Sequence, residues 1–200
     1  MRIIAGEMGG RLLKTVKRTG LCPTSDRVRE ALFSSLESVG VIDGAKVLDL
    51  YAGTGSLGLE ALSRAAAQAV FVEADKIIAA ALKVSIVELG VGARAQLVVG
   101  DVFDVLRLEF SGLRSFAPFD LVFADPPYDA HPGMLLAAKL VTSSLVGKGS
   151  YFVLESARRT PPEPYRGEAL ALSPVLQKDK VYGDTRLDFF RFEEEPAVGA

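Results

Sequence analysis

Four consecutive residues, Asp125, Pro126, Pro127 and Tyr128, offer the most specific chemistry in this sequence. They follow Phe119-Asp120-Leu121-Val122-Phe123-Ala124, a mostly apolar run rich in β-formers that reads as a buried strand. Pro126 and Pro127 lack an N–H and have a fixed φ, so the sheet ladder must stop where Asp125 emerges. The product is a stiff loop presenting one carboxylate (Asp125), one carbonyl (Pro126) and one aromatic face (Tyr128). Those groups suit a flat ring bearing an exocyclic amine, with two acceptors for its two N–H bonds and a stacking partner for the ring. Taken alone, the same residues also fit a plain rigid turn after a strand.

Three further acids stand at the ends of apolar runs: Asp49, Glu73 and Asp101. In an open α/β sheet, ligands bind beyond the carboxyl ends of the strands. Asp49 opens the stretch Asp49-Leu50-Tyr51-Ala52-Gly53-Thr54-Gly55-Ser56-Leu57-Gly58. Gly53 and Gly55 would let backbone come close to a ligand, Gly58 would let helix and strand pack tightly, and Tyr51 and Thr54 share the loop. Glu73, twenty residues after Gly53, is placed to accept hydrogen bonds from ribose hydroxyls. The pattern predicts a nucleoside-type cofactor. Its glycine spacing also fits a dinucleotide with its pyrophosphate at the helix N-terminus. Asp49 argues against that, because an anion at the loop repels a pyrophosphate and suits the ammonium of an amino acid. With Asp101 accepting from the adenine amine, S-adenosylmethionine is favoured over NAD, and S-adenosylhomocysteine is the expected product.

A methyl donor gives the Asp125 loop a task. The lone pair of a nucleobase amine is delocalised into its ring, so the amine must be oriented to react. Asp125 and Pro126 would hold its two N–H bonds while Tyr128 stacks on the ring, leaving the lone pair to face the methyl group. Such an in-line transfer gains from positioning and electrostatics and needs no metal or covalent intermediate. The target base must be unpaired or extruded. The chain has one cysteine, Cys22, and one histidine, His131, which disfavours a disulfide framework or a Cys/His metal site. Cys22 is read as a bystander and His131 as a surface residue.

The elements that position these residues follow from periodicity. Apolar runs at residues 45–50, 69–73, 96–99, 119–124 and 151–155 alternate with helical segments at 56–66, 75–89 and 132–145. This alternation, with strands apolar on both faces, predicts a parallel sheet covered by helices. The end differs: runs at 169–173, 175–182 and 187–192 have no helices between them, and Gly183-Asp184 predicts an antiparallel hairpin. At the start, residues 2–13 read as a β-hairpin turning at Gly9-Gly10, followed by a basic loop. A helix starts at Pro23-Thr24-Ser25-Asp26, its apolar stripe formed by Val28, Leu32, Leu36 and Val39 with Arg27, Arg29 and Glu30 on other faces. The domain plan is an extension over 1–40, a catalytic domain over 41–195 and a tail over 196–200.

Charge supports a division of labour. Residues 1–30 hold seven basic residues against three acids, whereas the remaining 170 hold 16 against 22. A basic arm on an acidic body points to a polyanionic partner at the arm. The 49% hydrophobic and 24% charged composition is that of a soluble globular chain. No membrane span or signal peptide is expected, and the single cysteine suits a reducing cytoplasm.

Beyond these readings, the chain resembles the bacterial 16S rRNA (guanine-N2)-methyltransferases. The resemblance is carried by Arg2-Ile3-Ile4-Ala5-Gly6 with Gly10-Arg11-Leu12, by Pro23-Thr24-Ser25-Asp26-Arg27-Val28-Arg29-Glu30-Ala31-Leu32-Phe33, and by Leu48 through Arg64. It continues in Phe71-Val72-Glu73, Asp125-Pro126-Pro127-Tyr128 and Tyr182-Gly183-Asp184-Thr185. The Thr-x-x-Arg-Val-Arg-Glu segment is more specific than the glycine loop, which many methyltransferases share.

The resemblance implies a Rossmann-like class I S-adenosylmethionine-dependent methyltransferase fold, α/β, with a mostly parallel seven-stranded sheet, an antiparallel C-terminal hairpin and an N-terminal hairpin/helix extension. It implies methylation of the N2 amine of one guanine in 16S rRNA, of the 966 type, within a small-subunit (30S) particle or precursor, by a monomer. Carried over, Asp49, Tyr51, Gly53, Thr54, Gly55, Glu73 and Asp101 hold the cofactor, Asp125 to Tyr128 bind the base, and Arg11, Lys14, Arg27 and Arg29 face RNA. Ser85 departs from the family, where asparagine is common. The residues themselves leave guanine N2 and adenine N6 open. An adenine-N6 methyltransferase acting on DNA or RNA and a non-catalytic nucleoside-cofactor-binding module are the alternatives.

Overall fold

The computed structural model describes residues 1–16, 25–107, 111–127, 133–159 and 170–194. The chain forms two compact units, Met1–Val102 and Phe103–Ala200. In the first, β1 (Lys46–Leu50), β2 (Gln68–Glu73) and β3 (Ala95–Val99) run parallel with β2 in the middle. Leu48 pairs with Val70 and Phe71 with Leu97, in one unbroken register. The crossovers are α2 (Ser56–Ser63) and α3 (Lys76–Leu89). Asp75 caps α3, its side chain accepting from the amides of Ile77 (2.8 Å) and Ile78 (3.1 Å). Val47, Leu48, Leu50, Phe71 and Val72 are fully buried, as the apolar runs require.

Helix α1 (Asp26–Ser38) starts as the sequence predicts, with Ser25 Oγ accepting from Val28 N at 3.3 Å. Its buried face is different. Val28, Leu32 and Leu36 are buried, but Val39 is 53% exposed and Arg29 is wholly enclosed. Arg29 sits one position along from Val28 and four before Phe33, so it falls within the stripe. Its guanidinium donates from Nη2 to the Arg2 carbonyl (2.7 Å) and to Asp26 Oδ1 (2.8 Å). The N-terminal hairpin forms, with an antiparallel bridge between Arg2 and Leu12.

In the second unit, β4 (Phe119–Ala124) runs parallel to β5 (Val146–Ala157), and β7 (Thr185–Glu193) pairs antiparallel with both β5 and β6 (Ser173–Tyr182). Short helix α4 (Val102–Val105) spans the boundary in sequence, and α5 (Ser111–Arg114) and α6 (Gly133–Thr142) follow. Phe152 stacks on Phe190 and Phe192 at ring separations of 6.0 and 6.4 Å, which centres this unit's core on aromatic residues.

Two readings of the second unit are corrected. β5 begins at Val146, earlier than its apolar run, because Ser150 Oγ accepts from Gly147 N (3.0 Å) and donates to the Phe119 carbonyl (2.7 Å). That bond carries the strand through an irregular register. Residues 170–172 are not a strand, and the described residues hold the seven strands expected of the sheet. The turn at Gly183, with φ of 58°, joins β6 to β7 as expected.

Candidate active site

The glycine loop is the turn from β1 into α2. Gly55 is the residue before α2 and has a φ of 74°, while Gly53 has a φ of 56°. Only glycine takes such angles without strain. A Cβ on Gly55 would also lie 2.3 Å from Leu82 Cδ1, and one on Gly58 would lie 2.4 Å from Phe71 Cε1. These two glycines let the helix lie on the sheet. At Gly53 the nearest atom to an added Cβ is Tyr51 O at 3.9 Å, so the backbone there has open space beside it. Tyr51 also has a positive φ, 57°, which costs a residue with a side chain of the order of 1 kcal/mol or more.

Glu73, at the end of β2, ties the loop to its neighbour. Its Oε2 accepts from Gly53 N at 2.8 Å and its Oε1 from Asp75 N at 2.7 Å. Each oxygen keeps a lone pair, which is the capacity ribose hydroxyls require. Burial raises the Glu73 pKa above the usual carboxylate value, with the backbone amides of Gly53 and Ala74 pulling the other way. Asp49 lies deeper, 2% exposed, with Oδ2 accepting from Gly58 N at 2.8 Å. Burial pushes its pKa up to about 8, opposed by the Gly58 amide and reinforced by the Glu73 charge. Asp49 thus fastens β1 to the first turn of α2. The Tyr51 hydroxyl is pushed up to about 12, first by burial and then by the negative charge of Asp101. Thr54 Oγ1 lies 3.0 Å from Met1 Sδ. Asp49, Tyr51, Gly53, Gly55, Glu73 and Asp101 are therefore drawn into one region of the first unit. Open backbone at Gly53 beside a carboxylate with spare lone pairs fits a nucleoside.

In the second unit the β4 ladder ends at Ala124, opposite Leu154. Asp125 follows half-buried, Pro126 buried and Pro127 exposed. Tyr128, His131 and Cys22 lie outside the described residues. Among the described residues no group of three His, Cys, Asp or Glu could hold a metal ion.

The basic arm is less uniform than its sequence. Arg11 donates to the Glu88 carbonyl at the C-terminal end of α3, and Lys14 Nζ pairs with Glu88 Oε1 at 3.1 Å. Ser85 Oγ accepts from Lys14 N at 2.9 Å, so this side chain anchors the arm locally. Arg27 is exposed and makes no ion pair among the described residues. Arg29 cannot face a phosphate in this conformation, because its guanidinium is enclosed and its Nη2 is held by the Arg2 carbonyl and Asp26.

Sequence reading missed three residues on and just after α2. Glu60 is fully buried, Ser63 nearly so, and Arg64 pairs with Glu60, Glu37 and Glu30 while covering the Phe33 ring at 5.0 Å. The available signal was Glu60 and Arg64 four residues apart in an otherwise apolar helix.

The "Ribosomal RNA small subunit methyltransferase D" of Escherichia coli (strain K12) is 41% identical over 128 residues, 64% of this chain and 60% of that protein. The chain thus matches less than two thirds of that relative's length. The "Putative rRNA methyltransferase YlbH" of Bacillus subtilis (strain 168) is 29% identical over 191 residues, covering 96% of this chain and 98% of that one. The solved structure of a putative methyltransferase from Escherichia coli superposes with a TM-score of 0.78 at 30% identity, over 98% of this chain and 99% of that one. The fold is the Rossmann-like fold of S-adenosylmethionine-dependent methyltransferases, α/β and mostly parallel with antiparallel C-terminal strands. A family model described as "Conserved hypothetical protein 95" matches residues 1–191, and the chain belongs to that family.

Proposed function

We propose that this protein transfers a methyl group from S-adenosylmethionine to an exocyclic amine of small-subunit ribosomal RNA, the N2 amine of one guanine. The observation that carries this reading is the loop held by Glu73, in which a carboxylate grips the Gly53 amide and keeps lone pairs for a ribose. The names of relatives described as small-subunit ribosomal RNA methyltransferases support the substrate class. Glu73 would take the ribose, Asp101 the adenine amine and Asp49 the ammonium end, with Tyr51, Thr54 and Gly55 shaping the loop. The bound cofactor supplies an electrophilic methyl. Asp125 and the Pro126 carbonyl would each accept one N–H of the amine, fixing the direction of its lone pair, and Pro127 would keep the loop stiff. Tyr128 would stack on the base. The amine loses a proton as it gains the methyl, and Asp125 is the nearest group in this scheme to receive it.

On this reading residues 1–40 are the RNA-binding extension, 41–195 the methyltransferase domain and 196–200 a tail. The protein works as a cytoplasmic monomer on a small-subunit particle or precursor, and Arg11, Lys14 and Arg27 supply charge toward RNA. The test is Asp125→Ala in a single-turnover assay. Transfer should fall by ~100-fold or more while S-adenosylhomocysteine binds within a few-fold of the parent. Retained transfer would remove Asp125 from the reaction.

A further inference from the structure

The N-terminal hairpin owes its shape to α2 as much as to its own pairing. Its two arms share the bonds Ile3 N to Arg11 O (2.9 Å), Gly10 N to Ile3 O (2.9 Å) and Leu13 N to Met1 O (3.1 Å). A single hairpin with so few bonds is marginal in water. Four amides between those bonds turn to the helix instead. Ile4 N and Ala5 N donate to Glu60 Oε2 (2.7 Å) and Oε1 (3.0 Å), Glu7 N to the Ser63 carbonyl (2.8 Å) and Met8 N to Ser63 Oγ (2.9 Å). Ser63 Oγ donates in turn to the Ala5 carbonyl. Gly6, with φ of +79°, makes the approach possible, since a Cβ there would lie 1.9 Å from Ser63 O.

Glu60 has no exposed surface, and its third donor is Arg64 Nε at 2.8 Å. A buried carboxyl group needs partners for its oxygens, and this set of donors supplies them. Here two of the three are backbone amides of the arm. Placement of the arm is therefore written into the helix that leaves the glycine loop.

We propose that Glu60 and Ser63 are positioning residues for the RNA substrate. By holding residues 4–8 they fix where Arg2, Arg11 and Lys14 present their charge. The inference rests on the RNA reading above and adds the residues through which the arm is aimed. Glu60→Gln keeps the size of the side chain but turns one acceptor into an NH2 group facing a donor. Ser63→Ala removes the hydroxyl and leaves the Ser63 carbonyl bond intact, so it is the milder variant.

The experiment measures small-subunit RNA affinity against salt, S-adenosylhomocysteine affinity by calorimetry, and amide exchange at Ile4, Ala5 and Met8. Both variants should weaken RNA binding, Glu60→Gln by about tenfold, with a salt slope lower by about one unit. Cofactor affinity should stay within about twofold of the parent. Exchange should quicken at Ile4 and Ala5 in Glu60→Gln and at Met8 in Ser63→Ala. Equal loss of cofactor and RNA affinity would overturn the inference, because Glu60 would then serve the fold at large. A triple variant, Arg2→Ala with Arg11→Ala and Lys14→Ala, separates the two levels. If it binds RNA as the parent does, the arm is not the RNA surface and both readings fall. If it loses affinity while Glu60→Gln does not, the positioning inference alone falls.

Discussion

The stability advantage of Asp49→Asn over the parent, both free of cofactor, should grow as pH rises. The Asp49 carboxyl is 2% exposed, and its pKa is pushed from the ordinary 3.8 to about 8. Burial is the main cause, and the Gly58 amide only partly offsets it. Because the folded pKa is the higher one, the folded chain keeps its proton over a range where the unfolded chain has lost it. Stability from this group is full below about pH 4 and is lost as pH climbs toward 8. At pH 7 the gap to the ordinary aspartate value is about three units, and at ~1.4 kcal/mol per unit the loss reaches about 4 kcal/mol as an upper bound. Asparagine keeps an oxygen for the Gly58 amide and does not titrate. Denaturant unfolding of both proteins from pH 4 to 8 reads the difference directly. The variant should gain steadily on the parent across that window and level off above it. A stability difference that stays flat with pH would mean that folded Asp49 is ionised, and the reasoning would fail.

Gly58→Ala should cost about 1–3 kcal/mol, because its Cβ would stand 2.4 Å from Phe71 Cε1 and 3.1 Å from Asp49 Oδ2; parental stability in urea would show that the helix can lift freely. Arg27 and Arg29 should separate in RNA binding. Arg27→Ala should lower the salt slope by about one unit, whereas Arg29→Met should leave the slope alone and show its effect in thermal unfolding. Equal slopes for the two variants would return Arg29 to the RNA surface.

The sequence carried the elements that obey one strong local rule. Two prolines ended β4 at Ala124, a serine hydroxyl capped α1, and a glycine with positive φ turned β6 into β7. The glycine loop was equally legible, because Gly55 is required by packing and by its backbone angle, and Gly58 by packing. Features set by long-range partners were not. Arg29 looks like a surface cation until the Arg2 carbonyl, 27 residues away, is seen to accept a hydrogen bond from its guanidinium. Glu60 looks like a solvated helix acid until the arm, more than fifty residues earlier, is seen to wrap it. Asp49 was expected to meet an ammonium, and the structure shows a second task for it, fastening the Gly58 amide. The start of β5 failed for a local reason: Gly147 and Gly149 dilute the apolar signal that Ser150 restores by hydrogen bonding.

Methyl transfer to a base amine of small-subunit RNA can be read by incubating the protein with S-adenosylmethionine and small-subunit particles that lack the modification, then mapping methylated nucleosides by mass. One new N2-methylguanosine at a single loop position is the expected result, absent with Asp125→Ala. A new N6-methyladenosine, or no methylated nucleoside under conditions where the cofactor binds, would rule out guanine-N2 transfer by this protein.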